Sequence, residues 1–288
     1  MKNIFWIASY PKSGNTWMRI FLSNYQREDD KPVDINCLSG GPIASDRSYF
    51  DTWSGVKAST LGDDVIENIR PEVYRCMAAK SKAPLFLKVH DAYILTSSGE
   101  PLFPTDVTLG AIYIIRNPLD MISSCSNHWG VSKEEAVETL CNENKELADS
   151  KGKLNEQLRQ RVLSWSGHVR SWLENSGLHV LIVRYEDMKK EPEATFGEVV
   201  KFCGFSFNKE RLCKAISFSS FEEAKRQEEE KGFEERSPFA KGAFFRNGEA
   251  GGWRLELTPA MVKKMLSAHN SVMKRFGYVN DTGQPVQE

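Results

Sequence analysis

No stretch of this sequence approaches the roughly 18 unbroken apolar residues that a membrane-spanning helix requires. Its opening residues, MKNIFWIASYPKSGN, have neither a long apolar core nor an A-x-A-like cleavage site. A soluble, non-secreted, cytoplasmic chain with no membrane partner is therefore expected. A charge excess is missing too: 38 Lys+Arg against 39 Asp+Glu leave a net charge of −1. Nothing global favours nucleic acid as a partner, and any anion must be held by local placement of charge. The six cysteines, Cys37, Cys76, Cys125, Cys141, Cys203 and Cys213, form no C-x-x-C pair and no Cys/His cluster at zinc spacing. They read as free thiols, and no metal site is expected.

What is present is a repeating alternation. The short β-rich runs NIFWIAS, PLFLKV, GAIYIIR and HVLIVRYE are separated by longer amphipathic stretches. That is the pattern of an α/β fold with a central, mostly parallel β-sheet and crossover helices. The runs are almost continuously apolar, as strands buried on both faces should be. Helices are expected over 16–26, 118–129, 133–149, 156–174, 194–203 and 259–276, with Pro118, Pro192 and Pro259 placed where a first helical turn tolerates proline. With 288 residues and 40% hydrophobic content, one domain over 1–288 is expected. Residues 31–64 and 226–245 read as loops, the second, charged stretch being a candidate lid.

The turn after the first strand, ASYPKSGNTW, joins that strand to a helix through Lys, Ser and Gly. A helix N-terminus supplies unpaired N–H groups and a positive dipole end. Gly14 permits close backbone approach and Lys12 adds a charge, so the turn suits an anion. It does not follow the order G-x-x-x-x-G-K-[ST], because Lys12 precedes Gly14; this disfavours a P-loop-type kinase or ATPase. The other strand ends bring Lys88 and His90, Arg116, and Tyr185 with Glu186 and Asp187. In open parallel sheets ligands gather at such carboxyl ends.

PKSGNTW resembles the 5′-phosphosulfate loop of the cytosolic sulfotransferases, which use 3′-phosphoadenosine 5′-phosphosulfate (PAPS). YIIRNPLDMISSCS resembles that family's 3′-phosphate segment, VRYEDMKKEP its YEDM segment and FFRNGEAGGW its C-terminal RKGxxGDW loop; the matches run from Ala8 to Trp253. The resemblance implies a single P-loop-like domain whose sheet is flanked by α-helices on both faces. It further implies that Lys12 contacts the 5′-phosphosulfate, with hydrogen bonds from Ser13, Gly14, Asn15 and Thr16, and that Trp17 packs on adenine. Arg116 and Ser124 would hold the 3′-phosphate, with Phe245, Arg246, Asn247 and Gly248 completing the grip. Tyr185, Ser219, Ser220 and Phe221 would meet the adenine. Arginine forks suit a terminal phosphate, and flat aromatic faces suit a purine.

Strand alternation places Lys88 and His90 on one face, with Leu87 and Val89 on the other. His90 resembles the catalytic histidine of the family's K-x-H segment. The implied activity is transfer of a sulfuryl group from PAPS to a hydroxyl, or an amine, of a small molecule, leaving adenosine 3′,5′-bisphosphate (PAP). His90 would act as base while Lys12 and Lys88 stabilise developing charge, with no metal. The alternative is a non-catalytic nucleotide-binding protein. Asp91, Tyr93 and Trp129 are candidates for the acceptor pocket, and His128, one helical turn beyond Ser124, could approach the acceptor. His168 reads as part of a packed helix face with Trp165 and Trp172. The sequence departs from the family pattern at Asn15 (usually Thr), Asn247 (Lys of RKG) and Gly252 (Asp of GDW). The family's dimer motif is not evident, so no dimer by that route is expected, and the oligomeric state is otherwise open.

Overall fold

The computed structural model describes residues 2–41, 43–148, 154–246 and 248–286. In chain order the elements are β1 (Ile4–Ser9), α1 (Asn15–Tyr25), α2 (Arg47–Ser54), α3 (Asp63–Lys80), β2 (Leu85–Val89), β3 (Thr108–Ile115), α4 (Pro118–Trp129), α5 (Lys133–Cys141), β4 (Glu146–Leu147), β5 (Gln160–Arg161), α6 (Trp165–Glu174), β6 (Val180–Arg184), α7 (Tyr185–Lys190), α8 (Pro192–Phe202), α9 (Lys209–Phe218), α10 (Phe221–Lys231), α11 (Trp253–Glu256) and α12 (Pro259–Arg275). The four expected strands form one parallel sheet in the order β2-β1-β3-β6, flanked by helices. β1 runs parallel to β2 in a register that sets Ile4 opposite Leu85 and Ala8 opposite Val89. The chain divides into two compact units, one of Met1–Tyr10, Gly40–Tyr113 and Glu143–Ile182, the other of Pro11–Ser39, Ile114–Asn142 and Val183–Glu288.

In the first unit every residue of β1 is buried, which explains why its sequence does not alternate. Trp6 is fully buried, with Tyr74 and Phe103 around its ring and its indole N–H donating to Thr108 Oγ1 at 2.8 Å. α3 has no counterpart among the expected helices; it is tied to the edge of β1 by the Asn3 side-chain amide, which donates to Ala78 O at 2.8 Å. α2 falls inside the segment read as a loop. Asp46 caps it by accepting from Tyr49 N at 3.1 Å, and Gly55 ends it at φ 72°. The helix expected from Glu156 starts instead at Trp165: Gln160–Arg161 pair with Glu146–Leu147, and Ser164 caps the helix by accepting from Gly167 N at 3.1 Å.

In the second unit α1 packs through Phe21, whose ring stacks on Phe196 of α8 at 4.1 Å. The helix expected over 133–149 stops at Cys141 after starting in a Ser132/Glu135 capping box; its expected last residue, Asp149, lies outside the described residues. α9 was not anticipated, and α10 takes up the first part of the charged segment expected as a loop. The charges there are spaced for a helix, with Arg226 paired to Glu223 and to Glu230, three and four positions away. Ser220 caps α10 by accepting from Glu223 N at 3.2 Å. The remainder packs inward: Phe233 and Phe245 join Ile20, Val33 and Ile35 in a buried cluster.

Candidate active site

The anion-binding turn belongs to the second unit. Lys12 and Gly14 both have left-handed backbones, φ 71° and φ 105°, and Gly14 occupies the cap position of α1 with Asn15 and Thr16 opening the helix. Glycine is required there: a Cβ on Gly14 would lie 2.7 Å from Cδ2 of Tyr185. The helix therefore presents its first amides beside a bare backbone. The Lys12 ammonium lies 3.4 Å from the centre of the Phe244 ring, a cation–π contact. Ser13 is buried, and its hydroxyl faces the Met121 sulfur at 3.7 Å.

Arg116 joins the turn to the C-terminal loop. Its guanidinium stacks over the Tyr185 ring at 4.2 Å, donates to Lys12 O at 3.3 Å and donates to Glu249 O at 3.0 Å. Its Nε is buried without a hydrogen-bond partner, a donor left for an incoming oxygen. Tyr185, buried and with its pKa raised by that burial, donates its hydroxyl to Gly248 O at 3.0 Å, and Lys189 donates to the same carbonyl. Gly248 in turn lies against the Phe221 ring, which a Cβ would meet at 2.6 Å. Trp17, half-buried, meets Tyr185 and Phe196 edge-on, each at 5.7 Å.

Lys12, Trp17, Arg116, Tyr185, Phe221 and Gly248 thus form one continuous cluster of cations and flat rings. Phe245 packs on Phe221 at 6.2 Å. An open groove of about 470 Å³ is lined by Phe221, Glu222, Lys225, Arg226, Glu229, Arg246 and Glu249. Ser124 is half-buried on α4, eight residues after Arg116. Ser220 spends its hydroxyl as the α10 cap, and Ser219, buried, donates to Ala215 O at 2.6 Å and accepts from Asn24 at 3.3 Å. Asn247 lies outside the described residues.

Lys88 and His90 belong to the first unit and are half-buried, while Leu87 and Val89 between and beside them are buried. The His90 ring places Nδ1 2.8 Å from Ser9 O. A carbonyl only accepts, so Nδ1 carries the proton and Nε2 is the basic nitrogen of the neutral ring. Asp91 is not an acceptor-pocket charge: 1% exposed, it takes hydrogen bonds from Arg70 at 2.7 and 3.0 Å. Tyr93 is likewise buried, against Phe103 and Trp172. In the second unit His128, half-buried, meets the Phe244 ring edge-on at 6.2 Å.

A family model described as the sulfotransferase domain matches residues 2–277. The chain belongs to the sulfotransferase family. Among its curated relatives, rat sulfotransferase 2A6 is 27% identical over 279 residues, spanning 94% of this chain and 84% of the relative. Cytosolic sulfotransferase 1 of Arabidopsis thaliana is 26% identical, spanning 90% and 75%. The crystal structure of mouse sulfotransferase SULT7A1 complexed with PAP is similar in fold, with a TM-score of 0.60 at 21% identity over 98% of this chain and 87% of that one.

Within this sulfotransferase, sequence reasoning missed two carboxylates and a ring that build the site. Asp120 accepts from Gly251 N at 2.8 Å and Trp253 N at 3.1 Å, fixing the C-terminal loop. Glu228 accepts from Phe244 N at 2.7 Å and Phe245 N at 2.8 Å. Phe244 lies under the Lys12 ammonium, next to Phe245, the residue the family pattern points to. Asp120 sits in the first turn of α4, where an acid is ordinary compensation for the helix dipole; nothing local distinguishes it. Among the described residues no group of three or more His, Cys, Asp or Glu side chains is placed to hold a metal ion, and no helix is long and apolar enough to cross a membrane.

Proposed function

We propose that this sulfotransferase moves the sulfuryl group of PAPS to a hydroxyl or amine of a small-molecule acceptor in the cytoplasm, with His90 as general base. The observation that carries the donor assignment is the cluster of Lys12, Arg116 and the rings of Trp17, Tyr185 and Phe221. Two cations suit the two phosphorylated ends of the donor, the orphaned Nε of Arg116 suits a phosphate oxygen, and the rings suit a purine. Lys12 and the α1 amides supply positive potential to the bridging and equatorial oxygens as charge builds. Ser9 holds the His90 tautomer whose Nε2 accepts the acceptor's proton. PAPS brings the activated sulfuryl group; the chain supplies positioning, electrostatics and proton removal.

For Arg116→Ala the expected outcome is a loss of PAP affinity of about 10-fold or more, because a charge-assisted hydrogen-bond donor is removed. For His90→Ala it is a fall in turnover of about 10²-fold with PAP affinity kept. Calorimetry and a PAP-release assay check both. Unaltered PAP affinity in the first variant, or unaltered turnover in the second at saturating acceptor, would reject the corresponding role.

A further inference from the structure

Beyond β2 the backbone of four consecutive residues is held by named partners, all within the first unit. His90 O lies 3.1 Å from His168 Nε2, and Asp91 O accepts from Trp172 Nε1 at 3.0 Å. Ala92 N donates to Arg161 O at 2.8 Å, and Tyr93 N donates to Ser171 Oγ at 3.0 Å. Three of these partners, His168, Ser171 and Trp172, come from one face of α6, at the i, i+3, i+4 spacing that aligns side chains along a helix. All three are buried.

The roles of the His168 nitrogens follow from their partners. Nε2 meets a carbonyl, which only accepts, so Nε2 carries the proton. Nδ1, 2.8 Å from the Tyr113 hydroxyl, accepts from it. The ring is then neutral and fully used, and it has no lone pair left to compete with His90 for a proton. His90 is held from two directions: its own ring donates to Ser9 O, and its carbonyl is fixed by His168.

We propose that His168 is the positioning residue for the general base, setting the backbone carbonyl of His90 and through it the direction of the imidazole. The proposal rests on the reading of His90 as that base. A displacement on the order of 1 Å in a reacting group can cost about 10²-fold in rate, so a buried hydrogen bond at the neighbouring carbonyl is well placed to govern turnover. None of the hydrogen bonds named above involves a residue assigned to the donor.

The test separates donor from packing. His168→Gln can place an amide N–H near the position of Nε2 and so keep the bond to His90 O. His168→Asn reaches only as far as Nδ1; it keeps a partner for Tyr113 and gives up the bond to His90. Turnover, PAP affinity and thermal midpoint are measured for both variants, alone and with His90→Ala. The expected result is that Gln retains most of the turnover. Asn lowers it by about 10-fold or more, with PAP affinity and acceptor KM within about twofold, and lowers it no further when His90 is already Ala. Equal turnover in the Gln and Asn variants overturns the proposal, as does an equal Asn effect in the His90→Ala background. Full turnover of His90→Ala alone overturns the His90 reading itself and this proposal with it. If the Asn variant does not fold, Trp172→Phe removes the donor to Asp91 O while keeping a ring; a severalfold fall in turnover with PAP affinity unchanged supports the proposal, and wild-type turnover overturns it.

Discussion

Burial holds the His168 pKa down at about 3, against an ordinary value of 6.5. The sign of its effect on stability follows directly. Between about pH 6.5 and 3 the unfolded chain binds a proton at this residue that the native state refuses, so the stability fully present above pH 6.5 is progressively lost as the pH falls. By pH 5 the loss is about 2 kcal/mol, at roughly 1.4 kcal/mol per pH unit. His168→Gln, with no titrating ring, should lose less stability than the parent between pH 7 and 5 by about that amount. Urea melts at the two pH values check it, and equal losses would show that His168 titrates normally. Read in sequence, His168 was one residue of a helical aromatic stripe, and packing was the natural reading. Its two hydrogen-bond partners are 55 and 78 residues away, and no local pattern announces a contact of that range.

At the scale of elements, the four strands were legible because each is a short, nearly continuous apolar run ended by polar residues. Helices with proline at the first turn were legible for the same kind of reason; Pro118–Trp129 matches the expected span. What was not legible were elements whose local signal is polar. α10 is dominated by Glu, Lys and Arg, and reads as solvated loop unless its three- and four-residue charge spacings are counted. The loop after it is not a loose strap: Glu228, on α10, takes the amides of Phe244 and Phe245, and Arg19 pairs with Glu235. Asp120 does the same for the amides of Gly251 and Trp253. Replacing Asp120 by Ala leaves two backbone donors without their acceptor, at a cost of about 1–3 kcal/mol for each group that stays buried. The expected consequence is faster proteolysis of residues 248–253 and PAP affinity reduced by about 10-fold or more. Limited proteolysis with and without PAP, paired with calorimetry, checks this; unchanged cleavage and affinity would remove Asp120 from the support of the site.

Taken as a whole molecule, the chain has the cluster proposed to bind the donor in one compact unit and the proposed base in the other. Ser9, which orients His90, precedes Lys12 by three residues in the sequence, so the two functions are neighbours along the chain at the end of β1. The turn, Arg116, Tyr185 and the C-terminal loop were legible together because their order along the chain matches the family pattern. The residues that brace them, Asp120, Glu228 and Phe244, were not, because bracing depends on which surfaces meet after folding. Family membership and the Lys12–Arg116–Tyr185 cluster support PAPS-dependent sulfuryl transfer, and the central claim adds the proposal that His90 removes the acceptor's proton. Mass spectrometry of a metabolite extract incubated with PAPS and the protein tests it most directly. At least one small molecule should gain a single sulfuryl group as PAP accumulates, and the gain should be lost with His90→Ala. Tight PAP binding without sulfuryl gain on any molecule of the extract would contradict the claim and leave a nucleotide-binding protein without transfer activity.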